Sequence, residues 1–412
     1  MGYSYQDKTL YCDQVSLAEI AASAGTPCYI YSAGDILERY YAYDRAFGDH
    51  PHQVCYAVKA NSNLSLLRLL AGAGAGFDIV SGGELYRVLQ AGGDPAKTVF
   101  AGVGKTAEEI EYALLSKIHT FNCESEVELD LIDGLARKHG VTARAGLRVN
   151  PDVDASTHPY ISTGLSEHKF GVDISEVEAV YARAKRLRNI ALESVSCHIG
   201  SQLLDIDPMM ETVDKMLALV DRLRANGIAI QHLDLGGGLG VAYKPQDKEP
   251  GIAEVVSAIS RKVEGHNLKI MVEPGRSIVG AAGVLLTRVL FRKQTPRKEF
   301  IVVDAAMNDL IRPALYQSHH EIIPVEEPGQ SAQILADVVG PVCETGDFLA
   351  RNREMPAVLP GALLAVRTAG AYGFVLSSNY NSRPRVPEVM VEGGTWRIVR
   401  KRETLDDLIR GE

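Results

Sequence analysis

The feature that most restricts the fold of this chain is a repeated alternation of short β-rich runs with helical segments. The runs are QVCYAV (53–58), GFDIV (76–80), TVFAG (98–102), KIHTFN (117–122), ARAGLRVN (143–150), ESVSCHIG (193–200), IQHLDLGGG (230–238) and KIMVEPG (269–275). The segments between them carry helix punctuation. Thr106-x-x-Glu109 and Ser81-x-x-Glu84 have the spacing of capping boxes, and VEAVYARAKRL and MLALVDRLRANG close on basic residues and glycine. Parallel strands need a long crossover, usually a helix, so strands alternating with helices imply parallel βα units. Eight such units over roughly 220 residues predict a (β/α)8 TIM barrel.

After Gly275 the texture changes. Residues 284–291, 300–303, 332–339, 362–368, 373–376 and 396–399 are strand-like, with few helical stretches between them. The opening segments SYQDKTLYCDQVS and TPCYIYS are strand-like too. The expected class is therefore α/β, with a barrel over residues 33–276 and a mainly β second domain. Residues 277–412 supply that domain and 1–32 complete it. A length of 412 residues fits two domains.

Composition narrows the class of partner. Hydrophobic content of 46% and charged content of 23% suit a globular chain with a large core. The net charge of −9 argues against nucleic acid or an anionic membrane as main partner. It leaves room for a small anionic ligand, which responds to local charge. Cys12, Cys28, Cys55, Cys123, Cys197 and Cys343 are scattered, without a C-x-x-C pair, as expected of reduced thiols in a cytoplasmic protein. The opening MGYSYQDKTLYCD has no apolar core for a signal peptide. The apolar run near 278–286 is too short to span a bilayer.

A barrel of this kind carries its chemistry at the C-terminal ends of its strands. Those ends hold Lys59, Asp78, Asn122 with Glu124, Arg148 with Asn150, His198, Gly236-Gly237-Gly238, and Glu273 with Arg276. Lys59 closes YAVKAN, either as a solvated lysine or as a partly desolvated amine suited to Schiff-base chemistry. Gly236-Gly237-Gly238-Leu239-Gly240 lets backbone N–H groups approach an anion, and the loop after strand seven is a recurring phosphate site. It is not a dinucleotide fingerprint, which fails at Val241. AGVGKT (101–106) is no Walker loop, since Val99 stands where the first glycine belongs, and Lys105 and Thr106 read as loop and helix cap. Glu273 in EPGR needs a cationic or N–H partner if buried, which a pyridinium nitrogen or Arg276 would supply. His198 could stack on an aromatic ligand, transfer a proton, or be a satisfied core histidine. Arg312 and Tyr316 share a helix face by their i,i+4 spacing and suit a carboxylate. Cys343-Glu344 and Tyr372 are weak signals alone, and the adjacent His319 and His320 diverge, so no metal site is expected.

YAVKAN, HIGSQ, GGGLG, EPGR, MNDLIRPALY, CETGDFL and AGAYGF, in this order, resemble the group IV pyridoxal-phosphate decarboxylases with an alanine-racemase-like barrel (fold type III). Within that group the match looks closest to the diaminopimelate decarboxylases, over nearly the whole chain. The resemblance implies that Lys59 holds pyridoxal 5'-phosphate covalently. Asp78 belongs to the implied cofactor site. Gly236, Gly237 and Gly238 with the N–H groups of Gly275 and Arg276, helped by Ser201 and Tyr372, would bind the phosphate. His198 would stack on the ring and Glu273 would meet the pyridine nitrogen. Arg276, Arg312, Tyr316 and Tyr372 would bind the substrate carboxylate, and Glu344 its distal amino group. Cys343 is the implied proton donor, reaching with Glu344 into the other subunit of a homodimer with shared sites. The implied reaction takes meso-2,6-diaminopimelate to L-lysine and CO2, the last step of lysine biosynthesis. Ornithine, arginine or a carrier-bound amino acid is the alternative substrate. A non-catalytic pyridoxal-phosphate carrier would not need the β domain that holds Cys343 and Tyr372. Gln317-Ser318-His319-His320 departs from the more aromatic or acidic pattern of the group.

Overall fold

A computed structural model of the chain describes residues 2–154, 169–329 and 331–412. The backbone divides into two compact units. One comprises residues 39–240 and 249–275, the other residues 1–38, 241–248 and 276–412.

In the first unit the strands His52–Ala57, Gly76–Ile79, Thr98–Phe100, Thr120–Cys123, Ala143–Asn150, Ile190–Cys197, His232–Asp234 and Lys269–Val272 pair in parallel, each with the next. The last pairs with the first and closes an eight-stranded barrel. Helices that follow the strands, such as Leu64–Gly72, Gly82–Gln90, Ala107–Leu115 and Glu126–His139, cover them, so the strands are buried along most of their length. That is why they read as continuous apolar runs and not as alternating ones. Thr106 and Glu109 form the expected capping box. At Ser81 only half of one forms. The serine hydroxyl caps the Glu84 N–H, while the Glu84 carboxylate turns to the N–H of Val80.

The glycine in ARAGLRVN has a packing reason. The register between Ala143–Asn150 and Ile190–Cys197 slips between Leu192 and Ser194. A Cβ on Gly146 would lie 2.1 Å from the Ser194 carbonyl oxygen. The Tyr181 hydroxyl bridges the irregularity, accepting from the Leu147 N–H at 3.0 Å and donating to the Ser194 carbonyl at 2.5 Å. Lys105 is a buried tie. Its ammonium donates to the carbonyls of Gly102 and Asn122 and to Glu128, holding one strand-end loop to the next strand.

The second unit is built on the long strand Gly283–Gln294, which pairs antiparallel with Glu299–Val303, Leu363–Val366 and Cys28–Ser32. Cys28–Ser32 runs parallel to Glu388–Glu392, whose hairpin partner is Thr395–Arg400. On the far side Glu299–Val303 continues through Gln333–Val339 to Phe348–Pro356. Tyr3–Gln6, Thr9–Cys12 and Val15–Ser16 form their own antiparallel sheet. That sheet contributes Leu10 and Cys12 to one core with Ile30, Val284, Leu286, Val389 and Val391. The strand expected over 373–376 is instead a 3-10 turn, Phe374–Leu376. Tyr372 at φ 56° has already left extended geometry, and a Cβ on Gly373 would lie 2.5 Å from the Ala369 carbonyl oxygen.

Candidate functional site

In the barrel unit the expected residues converge at the strand ends. Lys59 lies in the single turn Val58–Ala60 directly after the first strand. Its ammonium meets the carboxylate of Asp78, on the second strand, at 3.0 Å. The lysine side chain is 37% exposed and the aspartate is fully buried, so Lys59 is partly desolvated, as its place at the end of an apolar run implies. The second Asp78 oxygen, Oδ1, has no hydrogen-bond partner among the described residues.

Glu273 directly follows the eighth strand and is buried. Burial first, then the carboxylates of Asp234 and Asp78, push its pKa well above the usual carboxylate range, so Glu273 holds its proton in this group. Asp234 accepts from Asn122 Nδ2 and from the Gly236 N–H, both at 2.9 Å; burial raises its pKa, and the bonds from Glu273, Gly236 and Asn122 offset part of that rise. Asn122 Nδ2 also reaches Glu273 Oε1 at 3.3 Å. Asp234 thus completes a site for which sequence reasoning had singled out Glu273 and Asn122. The available signal was the lone acid in LDL, a charge inside an otherwise apolar run.

The glycine loop is shaped by contacts that exclude side chains. A Cβ on Gly237 would meet the Glu273 carbonyl at 2.3 Å, and Gly236 and Gly238 sit at φ 66° and 111°. Leu203 N–H bonds to the Gly238 carbonyl and Gly240 N–H to the Leu203 carbonyl, tying this loop to the one that carries Ser201. The Gly237 N–H donates to His198 Nδ1 at 3.2 Å. Desolvation, then the Arg148 and Lys59 cations, hold His198 well below its ordinary value, so its ring is neutral. Gly275 packs against Ala60 and Ala57, where a Cβ would come within 2.9 Å.

The second unit holds the other candidates. Arg276 and Arg312 are both buried, and each donates from Nη1 to the Tyr243 hydroxyl at 2.7 Å. Arg276 also lies over the Tyr372 ring, 4.7 Å from its centre, and Arg312 over Tyr243 at 4.6 Å. Arg312 and Tyr316 share the short helix Arg312–Tyr316, as expected. Two of the four departing residues after it hold Arg312. Ser318 Oγ and His320 Nε2 both lie 3.2 Å from Arg312 amine nitrogens. His320 Nδ1 faces the Arg367 carbonyl at 2.9 Å, which assigns its proton there and leaves Nε2 as acceptor. Burial, then Arg312, push His320 down to about 3. Cys343 and Glu344 are exposed on another loop, where Cys343 N–H bonds Asn381 and Glu344 accepts from Tyr380. Neither bonds to Arg276 or Arg312 among the described residues.

The barrel residues fit pyridoxal phosphate on their own chemistry. An amine, an unsatisfied carboxylate oxygen on Asp78, and a buried acid at Glu273 suit an aldehyde and a basic ring nitrogen. The backbone of a side-chain-free glycine loop suits a phosphate. Fold and site therefore define the pyridoxal-phosphate-dependent α/β-barrel class. The family model described as "Pyridoxal-dependent decarboxylase, pyridoxal binding domain" matches residues 33–280. A diaminopimelate decarboxylase of Pseudomonas aeruginosa is 55% identical over 411 residues, spanning 100% of this chain and 98% of that protein. That of Vibrio cholerae is 52% identical over 98% and 97%. The solved structure of diaminopimelate decarboxylase from Helicobacter pylori, complexed with L-lysine, superposes with a TM-score of 0.92 at 43% identity, covering 95% of this chain and 98% of that one. The chain belongs to the pyridoxal-dependent decarboxylases and, within them, to the diaminopimelate decarboxylase family.

Among the described residues no helix is long and apolar enough to cross a membrane, and no cluster of three His, Cys, Asp or Glu could hold a metal.

Proposed function

We propose that this chain is a pyridoxal-phosphate-dependent carboxy-lyase that converts meso-2,6-diaminopimelate to L-lysine and CO2, the last step of lysine biosynthesis. The observation that carries the reading is the buried Glu273–Asp234–Asn122 group near the Lys59–Asp78 pair, in a chain 55% identical to a diaminopimelate decarboxylase over its whole length. Pyridoxal phosphate, when bound, supplies the electron sink for the pair left at Cα as CO2 departs.

The chain's own residues do the rest. Lys59 is the covalent anchor for the cofactor aldehyde, and Asp78 balances its charge. Glu273 holds a proton against Asp234 and presents it to the ring nitrogen, which strengthens the sink. A neutral His198 can lie flat on the ring without adding charge. The N–H groups of Gly236, Gly237, Gly238, Gly275 and Arg276, with Ser201 and Tyr372, take the phosphate. Arg276, Arg312, Tyr316 and Tyr372 take the carboxylate that stays, and Glu344 the distal ammonium. Cys343 returns a proton to Cα. Cys343 and Glu344 are exposed on their own chain, which supports their acting in the partner's site of a homodimer.

Purified protein supplied with pyridoxal phosphate is expected to release CO2 and L-lysine from meso-diaminopimelate, and Lys59→Ala is expected to abolish this. Absence of both products, or preference for ornithine, would overturn the assignment.

A further inference from the structure

The pair Arg276 and Arg312 raises a question that their hydrogen bonds answer only in part. Two guanidiniums, which cannot lose their charge, are buried around one phenol. Among the described residues no carboxylate lies within ion-pair distance of Arg312. Its polar partners are the Tyr243 hydroxyl, Ser318 and His320, none of them an obligate anion.

The Tyr243 hydroxyl is the common point. It accepts from both Nη1 atoms at 2.7 Å. A phenolic oxygen has one proton and room for two incoming bonds. Both acceptor positions are therefore used, and no acceptor for the hydroxyl's own proton is found among the described residues. Buried donors need partners. The ring is clamped as well, with Arg312 over its face and the His320 ring at 5.2 Å, edge-on. Ser318 and His320 hold Arg312 from other directions, so the guanidinium is fixed before any ligand arrives.

We propose that the Tyr243 hydroxyl is the third member of a carboxylate clamp with Arg276 and Arg312: it sets the spacing of the two guanidiniums and offers its own proton to the carboxylate that the substrate retains. This rests on the reading that these arginines bind that carboxylate. Two charges and one hydroxyl proton make a three-donor receptor for one anionic group. Such a receptor favours a dicarboxylic amino acid over a diamine or a monocarboxylate. Tyr243 follows closely on the glycine loop in sequence, in GGGLGVAY, so a single segment would supply both a phosphate cradle and a specificity group.

The test uses holoenzyme and two simple probes, measured by equilibrium binding so that it does not depend on turnover. Pimelate carries the carboxylates without amines, and 1,5-diaminopentane the amines without carboxylates. Tyr243→Phe keeps the ring and is expected to weaken pimelate about tenfold, as loss of charge-assisted hydrogen bonds implies, while leaving 1,5-diaminopentane within about twofold. With meso-diaminopimelate KM rises and kcat stays within about twofold. Unchanged pimelate binding, or equal weakening of both probes, overturns the proposal, the second outcome marking a merely structural tyrosine. Where Tyr243→Phe lowers Tm, Tyr243→His keeps a ring, an acceptor and an N–H. Recovered pimelate binding in a stable Tyr243→His variant supports the clamp, and equal weakening of both probes in that variant overturns it. A wild-type enzyme that binds pimelate in a Tyr243-dependent way yet does not turn over meso-diaminopimelate refutes the proposed reaction and leaves the clamp standing.

Discussion

His119 and His232 face each other near the N-terminal ends of barrel strands, away from the catalytic ends, with ring centres 5.1 Å apart and edge to face. Burial is the first cause that pushes each down to about 4. For His119 the His232 ring follows, and Lys269 and Arg144 add to both. A base with a lowered value in the folded state is neutral there, while in the unfolded chain it takes up a proton near pH 6.5. Its stabilising contribution is therefore complete above about pH 6.5 and is lost as pH falls from there toward 4. Tm should drop between pH 7 and pH 5, and the double variant His119→Gln, His232→Gln should drop less. Thermal unfolding at the two pH values checks this, and parallel slopes in both proteins would refute it. At this scale Lys59, Asp78, His198 and Glu273 were legible because each is a polar residue at the end of an apolar run. Asn122 was legible as a strand-end residue but not as a partner of Glu273, and Asp234 and Tyr243 gave no such signal. Their importance comes from what they hold, namely Glu273 and two guanidiniums, and single-sequence patterns do not show partners. The departure at Gln317-Ser318-His319-His320 acquired a reason only when Ser318 and His320 were found on Arg312.

The elements were legible where hydrogen bonding follows local rules. The capping box at Thr106 formed as its spacing implied, and the parallel strands fell within a few residues of the apolar runs. At Ser81 the same spacing formed only half the motif, because Glu84 found a nearer donor in Val80. The GFVL run failed as a strand because the backbone turns at Tyr372 and at Gly373, the first residue of the run. The register slip beside Gly146 is an irregularity no apolar pattern can announce, since it depends on a tyrosine from a neighbouring helix. Tyr181→Phe removes the acceptor of the Leu147 N–H and the donor to the Ser194 carbonyl, both buried. Leaving such groups unpaired costs about 1–3 kcal/mol. Chemical denaturation should show a loss of that size with little change in KM for substrate. An undiminished midpoint would mean that the slip relaxes into a regular ladder without the hydroxyl.

For the molecule as a whole, the order of barrel and β sheet was legible in the change of texture after Gly275, and the seven ordered motifs pointed to the family. Cys343 and Glu344 stand apart from the arginines of their own chain. Both are exposed and bonded to Asn381 and Tyr380 on their own loop, with no bond to Arg276 or Arg312 among the described residues. A thiol that must protonate one face of Cα needs to be enclosed, because competing water would otherwise do the same work without stereochemical control. The proposed homodimer supplies that enclosure and makes a genetic prediction. Lys59→Ala and Cys343→Ala should each be inactive or nearly so as homodimers. When the two are unfolded together and refolded as an equal mixture, half of the dimers carry one of each chain. In such a dimer the intact Lys59 and the intact Cys343 belong to different chains and meet in one site, so a closed twofold assembly predicts roughly a quarter of wild-type activity. If each chain instead used its own cysteine, the mixture would stay as inactive as its components. Activity that rises with co-refolding but not on simple mixing would place the proton donor across the subunit boundary.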